Sequence, residues 1–163
     1  MTKPLLLTIV ATAMLAVPSV RAALDAEPTT TKHLSLTTST SVSTVAPGGR
    51  VSLVVEITPK PNMHVYAPGQ PGYVAIVLTL DPDAPVRAAG KAKYPAGEKL
   101  FMPVLNETQL VYGKPFRITQ DVALPRASSG PLTVKGSLRY QACDDKICYK
   151  PVSVPVAWTL PRN

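Results

Sequence analysis

Two cysteines are the residues best suited to chemistry in this chain of 163 residues, in the run Tyr140-Gln141-Ala142-Cys143-Asp144-Asp145-Lys146-Ile147-Cys148-Tyr149. A pair this close in an exported chain is expected to oxidise to a disulfide. Three uses of the pair stay open on chemistry alone: a redox-active disulfide, a structural staple, or a metal site. As a staple it does little, because closing a loop of six residues removes only about 2 kcal/mol of unfolded-chain entropy. At a hairpin tip the bridge would be poorly shielded and open to attack by a partner thiolate. Asp144 and Asp145 disfavour a thiolate at Cys143, whereas Lys146 and Lys150 favour one at Cys148. A metal reading would draw on both cysteines with His33, His64, Met63 and Met102, soft ligands suited to copper(I) or, with histidine, zinc. The cysteine spacing is not that of a zinc knuckle and the histidines are isolated, so no residue is assigned to a metal.

The elements that must position the pair read as strands. Val51, Leu53, Val55 and Ile57 recur with a period of two, as do Val74, Ile76, Leu78 and Leu80. Phe116, Ile118 and Val122 follow, then Leu132, Val134, Leu138 and Tyr140, and last Val152, Val154, Val156, Trp158 and Leu160. Turn signals separate these runs: Pro47-Gly48-Gly49, Pro59 to Asn62, Pro68 to Gly72, Asp81-Pro82-Asp83 and Ser128 to Pro131. The cysteines fall between the two last strands. Opposed residues on paired strands lie about 4.5–5.5 Å apart at Cα, which a disulfide spans. The pattern predicts an all-β, immunoglobulin-like β-sandwich of about seven to nine strands. Pro155 on the last strand predicts an unpaired edge there.

Residues 1–22 have the parts of a signal peptide: Lys3, an apolar core from Leu5 to Val17, and Val20-Arg21-Ala22 for cleavage. About 13 apolar residues are too few for a comfortable membrane span. A polar, flexible leader is expected over 23–32, then one domain over 33–163. Export to the periplasm is expected, without stable membrane insertion after cleavage. Hydrophobic residues make up 45% of the chain, enough to bury a core, and no later segment is apolar for long enough to suggest a polytopic membrane protein. Removing Lys3 and Arg21 leaves 15 basic residues against 10 acidic ones. They are scattered singly, which argues against nucleic acid as a partner. The sequence has no nucleophile elbow and no glycine-rich phosphate loop. Asn106-Glu107-Thr108 matches a glycosylation acceptor, a pattern common by chance.

From Tyr140-Gln141-Ala142-Cys143 to Cys148-Tyr149-Lys150-Pro151, the chain resembles the amino-terminal periplasmic domain of the thiol:disulfide interchange protein DsbD. Pro61-Asn62-Met63-His64-Val65-Tyr66 and Leu110-Val111-Tyr112-Gly113-Lys114 resemble two further segments of that family, and the resemblance covers roughly 34–160. It implies an immunoglobulin-like sandwich with a reversible disulfide and no other cofactor. A thioredoxin-like or membrane-embedded thiol protein would supply electrons. Periplasmic thiol proteins, such as disulfide isomerases or factors of cytochrome c biogenesis, would receive them. The activity would be of the protein-disulfide reductase type. Carried over, Cys148 would form the mixed disulfide and Cys143 would resolve it. His64, Tyr66, Tyr112, Tyr140 and Tyr149 would line the site, and Val111 would sit in a cap loop over the sulfurs. The chain departs from the family pattern in a shorter inter-cysteine loop, in Val111 where the cap carries phenylalanine, and in Gln109 and Leu110 where acidic residues precede it. No membrane channel or thioredoxin domain follows within the sequence, so a separate electron source is expected. The alternatives are an exported protein-binding module with a structural disulfide, and a copper-handling module.

Overall fold

The computed structural model describes residues 28–103, 105–127 and 130–160, so the expected signal peptide lies outside the described residues. The described chain forms three antiparallel sheets. The first runs β1 (Thr29–Thr30), β2 (Leu34–Thr40), β3 (Arg50–Pro59), β9 (Phe116–Ala123) and β6 (Arg87–Ala88) in that spatial order. The second runs β12 (Val152–Leu160), β10 (Leu132–Tyr140) and β5 (Val77–Leu80). The third runs β11 (Ala142–Cys143), β4 (His64–Tyr66), β8 (Glu107–Tyr112) and β7 (Glu98–Met102). The all-β, immunoglobulin-like sandwich read from the sequence is what folds. Among the described residues seven of the twelve strands have five residues or more; β5 is the remnant of an expected run, and the other four short strands are pairings of two or three residues that periodicity does not reveal.

The period-two runs explain the core. On β12 every second residue from Val154 to Leu160 is buried, and Ser153, Pro155, Ala157 and Thr159 face out. Leu53, Val55 and Ile57 of the first sheet, and Val134, Leu138 and Trp158 of the second, enter one apolar cluster. Burying such side chains contributes about 1.5–3 kcal/mol each before conformational entropy is subtracted. The indole N–H of Trp158 donates to the Val54 carbonyl at 2.9 Å, so its one polar atom is satisfied inside the core. As Pro155 predicted, β12 is an edge strand of its sheet.

Two expectations are corrected. The leader expected to be structure-poor carries structure over its last residues, where Thr29 and Thr30 pair with Leu36 and Ser35. Thr31 anchors that turn, its hydroxyl donating to the Leu34 carbonyl and meeting the Tyr140 hydroxyl, each at 2.9 Å. The strand expected over Val74 to Leu80 begins only at Val77. Its first half is turned aside: the Ile76 amide donates to the Tyr66 carbonyl at 2.8 Å, and the Val74 amide donates to the Gln141 side chain at 3.2 Å. Residues 73–76 thereby pack on the third sheet, which carries Cys143.

Candidate functional site

The third sheet is built where the sandwich core ends. A turn at Lys60–Met63, with Asn62 in the left-handed region at φ 63°, delivers His64 to β4. Asparagine tolerates that conformation better than most residues. β4 then pairs Tyr66 with Val111 of β8 and His64 with Cys143 of β11. Paired residues share a face of an antiparallel sheet, so His64, Tyr66, Val111 and Cys143 line one side. Their neighbours Val65, Tyr112 and Ala142 point the other way, into the sandwich core.

Cys143 and Cys148 form a disulfide, with Cα atoms 4.0 Å apart across an isolated antiparallel bridge. The poorly shielded tip expected from the sequence is only half correct. Cys143 is 1% exposed in a cluster with Tyr66 and Val111, whereas Cys148 is exposed on the loop. Strand β11 is paired to β4, and that pairing buries one sulfur of the two.

The Tyr66 hydroxyl lies 3.1 Å from Cys143 Sγ and 3.3 Å from Cys148 Sγ. Disulfide sulfurs carry no proton, so the phenol is the donor to both. Burial, with Tyr73 and Glu107 adding to it, pushes the Tyr66 pKa up to about 12, while Gln109 opposes the shift. The group therefore remains a donor throughout the range where thiols titrate.

Tyr73 covers Tyr66, stacked with ring centroids 4.3 Å apart. Its hydroxyl donates to Glu107 Oε2 at 3.1 Å and accepts from Gln109 Nε2 at 3.0 Å. Gln70 donates to Glu107 Oε1 at 3.3 Å and accepts the Leu110 amide. Leu100 of β7 packs on the same cluster. Sequence reasoning missed Tyr73, Gln70, Glu107 and Leu100. Counting back in twos from Val111 along one strand places Gln109 and Glu107 on its face. No local signal announces Tyr73, which sits in a loop rich in proline and glycine.

The inter-cysteine loop is shaped by Asp144. Its Oδ1 accepts the amides of Lys146 and Ile147, both at 2.8 Å, and its Oδ2 accepts the Tyr149 hydroxyl at 2.9 Å. An aspartate that caps its own turn in this way fixes a short loop. Those donors, the Ile147 amide first, hold the Asp144 carboxyl below the usual carboxylate range. Tyr149 braces the loop from outside, its ring 4.6 Å from the His33 ring and beneath the Lys32 ammonium.

The residues expected at the site divide. His64, Tyr66 and Val111 gather around Cys143, with Cys148 bonded to it. Tyr112 and Tyr140 belong to the main core instead: the Tyr112 hydroxyl donates to the Pro95 carbonyl at 2.7 Å, and Tyr140 meets Thr31. Opposite parity along their strands turns them away from the sulfurs. Tyr149 contacts the loop through Asp144. The expected cap loop at Leu110–Lys114 is strand β8 as far as Tyr112, because β4 and β7 pair with it on both sides. Val111 therefore flanks Cys143 from within a sheet. The histidines of the metal reading stand apart, His33 beside Tyr149 and His64 beside Cys143. Among the described residues no group of three or more His, Cys, Asp and Glu is arranged to hold a metal ion.

The family described as "Thiol:disulfide interchange protein DsbD, N-terminal" matches residues 32–157. Among solved structures, the chain is similar to the N-terminal periplasmic domain of ScsB from Proteus mirabilis, with a TM-score of 0.58 and 14% identity. That likeness covers 86% of this chain and 52% of the ScsB chain, so the chain spans about half the length of that structure. The reduced DsbD N-terminal domain of Neisseria meningitidis aligns with a TM-score of 0.47 and 21% identity, over 68% of this chain and 78% of that one. No curated protein matches.

Proposed function

Because the chain belongs to the family of N-terminal domains of the thiol:disulfide interchange protein DsbD, we propose that it relays reducing equivalents through a reversible Cys143–Cys148 disulfide. The observation that carries this reading is the asymmetry of the pair, one sulfur buried and the other on an exposed loop, with a phenol donating to both. A thiolate attacks the sulfur it can reach. The donor's thiolate would bond to Cys148 Sγ, and the disulfide's electron pair would leave on Cys143. The donor's second thiolate then attacks its own bonded sulfur and releases Cys148 as a thiolate. In the onward transfer, Cys148 attacks the acceptor's disulfide, and Cys143 expels the acceptor by re-forming the bridge. Tyr66 stabilises the negative sulfur at each stage. Ile147, 55% exposed beside Cys148, offers a partner apolar contact next to the reacting atom.

The activity would be of the protein-disulfide reductase type. The donor would be a thioredoxin-like or membrane-embedded thiol protein, and the acceptors periplasmic thiol proteins. Localisation in the periplasm is proposed, supported by the family and by the export signal read at 1–22. The domain boundaries proposed are a leader at 23–32 and the exchange domain at 33–163, with the end of the leader pairing with the domain's first sheet at Thr29 and Thr30. Among the described residues no helix is long and apolar enough to cross a membrane.

The test is the reduction potential of the pair in the mature protein, read by thiol alkylation and mass across a dithiol buffer series. A potential of about −120 to −270 mV, the range of known exchange proteins, is expected. A pair that stays oxidised below about −300 mV would make the disulfide structural and the domain a protein-binding module.

A further inference from the structure

Cys143 raises a difficulty that the exchange reading leaves open. It has to act as a nucleophile when it resolves a mixed disulfide, yet it is 1% exposed among Tyr66 and Val111. Burial disfavours a thiolate. The Tyr66 phenol can stabilise the thiolate once formed, but as a donor it cannot take the proton away. A base is needed beside Cys143.

His64 stands directly opposite Cys143 in the β4–β11 register. Side chains so paired have Cβ atoms about 4.5–5.5 Å apart on one face. His64 is 4% exposed, and its Nε2 is buried with no hydrogen-bond partner. Buried polar atoms without partners are uncommon and call for an explanation. The imidazole also meets Tyr66 edge-on, with ring centroids 5.9 Å apart. The ionisable groups facing it are Tyr66 on its own strand, Cys143 on β11, and Asp144 and Asp145 on the inter-cysteine loop.

We infer that His64 is the proton acceptor for Cys143 in the resolving step. This rests on the exchange reading and assigns a base to it. Nε2 takes the proton from the Cys143 thiol. The sulfur's electron pair attacks Cys148 Sγ, the bond between Cys148 and the partner sulfur breaks, and its pair leaves on the partner as a thiolate. The domain's two sulfurs are then oxidised and the partner's sulfur is reduced; the imidazolium passes its proton to water. Burial lowers the His64 pKa, with Asp145 and Asp144 opposing, so the ring is neutral and able to accept near pH 7.

The experiment uses the reduced mature protein with Cys148 converted to its thionitrobenzoate mixed disulfide, a coloured leaving group that departs without needing a proton. Its release reports attack by Cys143 and is followed by stopped flow from pH 5 to 9. General-base assistance is worth about 10²–10⁴-fold, so His64→Gln is expected to slow release at pH 7 by at least tenfold. The rate should then rise with pH as an unassisted buried thiol does. Because His64 is buried, a second measurement needs no variant at that position: its ring titration by NMR in the reduced protein, with and without Cys143→Ala. A shifted titration is expected. Equal rates and pH profiles in wild type and His64→Gln, or identical ring titrations with and without the Cys143 thiol, would overturn the assignment alone. A wild-type mixed disulfide that never releases the dye would overturn the exchange reading itself.

Discussion

Replacing Tyr66 by phenylalanine removes one oxygen from the site and leaves the rest of its packing in place. The ring is fully buried and stacked on Tyr73 at 4.3 Å, and both features survive the change. What is lost is the donor 3.1 Å and 3.3 Å from the two sulfurs. A hydrogen bond to a charged acceptor contributes about 1.5–3 kcal/mol and one to a neutral acceptor about 0.5–1.5, so the thiolate loses about 1–1.5 kcal/mol more than the thiol. At 1.36 kcal/mol per unit, the Cys148 pKa should rise by about one unit. The thiolate fraction at neutral pH then falls about tenfold, while a Brønsted coefficient of about 0.4–0.5 makes the remaining thiolate about threefold more nucleophilic. The net expectation is alkylation about three- to fourfold slower at pH 7. Because the phenol's own pKa is pushed up to about 12, it does not titrate within the working range to confuse the profile. The assay is the iodoacetamide rate of the reduced protein against pH, with each cysteine resolved by mass. A Cys148 pKa that is unchanged or lower in Tyr66→Phe would refute the role assigned to the hydroxyl.

Two further outcomes are expected from the scaffold. At Gly136 a Cβ would collide with the Thr79 carbonyl oxygen and meet Leu80 Cα at 3.2 Å. Gly136→Ala should therefore push β5 from β10 and cost about 1–3 kcal/mol, read as a lower urea midpoint; an unchanged midpoint would show that the strands absorb the methyl. Asp144 concerns pH. Its folded carboxyl is held below the ordinary value of about 3.9, so its contribution is present above that pH and is lost as pH falls through the folded value. Protection factors of the Lys146 and Ile147 amides, taken against intrinsic exchange at each pH, should fall as the Asp144 carboxyl is protonated in the wild type. In Asp144→Asn, which keeps an acceptor oxygen but has no acid titration, that fall should be absent. Wild-type protection factors that stay constant while the Asp144 carboxyl is seen by NMR to titrate would refute it.

The legibility of the sequence varies by element for physical reasons. β10 and β12 could be read residue by residue because alternate burial is a property of each strand alone. The Val74–Leu80 run misled because Ile76 is buried for a different reason, its amide being held by the Tyr66 carbonyl instead of a ladder partner. Val111 was assigned to a loop because a motif such as Val-Tyr-Gly-Lys does not reveal that β4 and β7 will pair on both its sides. The family resemblance places Tyr112 and Tyr140 at the sulfurs, although strand parity points both into the sandwich.

The sequence by itself determined the β class, the faces of the long strands, and the closeness of two cysteines across a short turn. Each depends on residues within a few positions of one another, where a period of two and a capping aspartate act locally. Tertiary structure alone decided which sulfur is buried, that a phenol reaches both, and that an imidazole with an unpartnered Nε2 stands opposite Cys143. Tyr66 meets Cys143 and Cys148 across 77 and 82 residues, and Tyr73 meets Glu107 across 34. Such contacts are set by how β4, β8 and β11 pair in register, and no local pattern encodes that register.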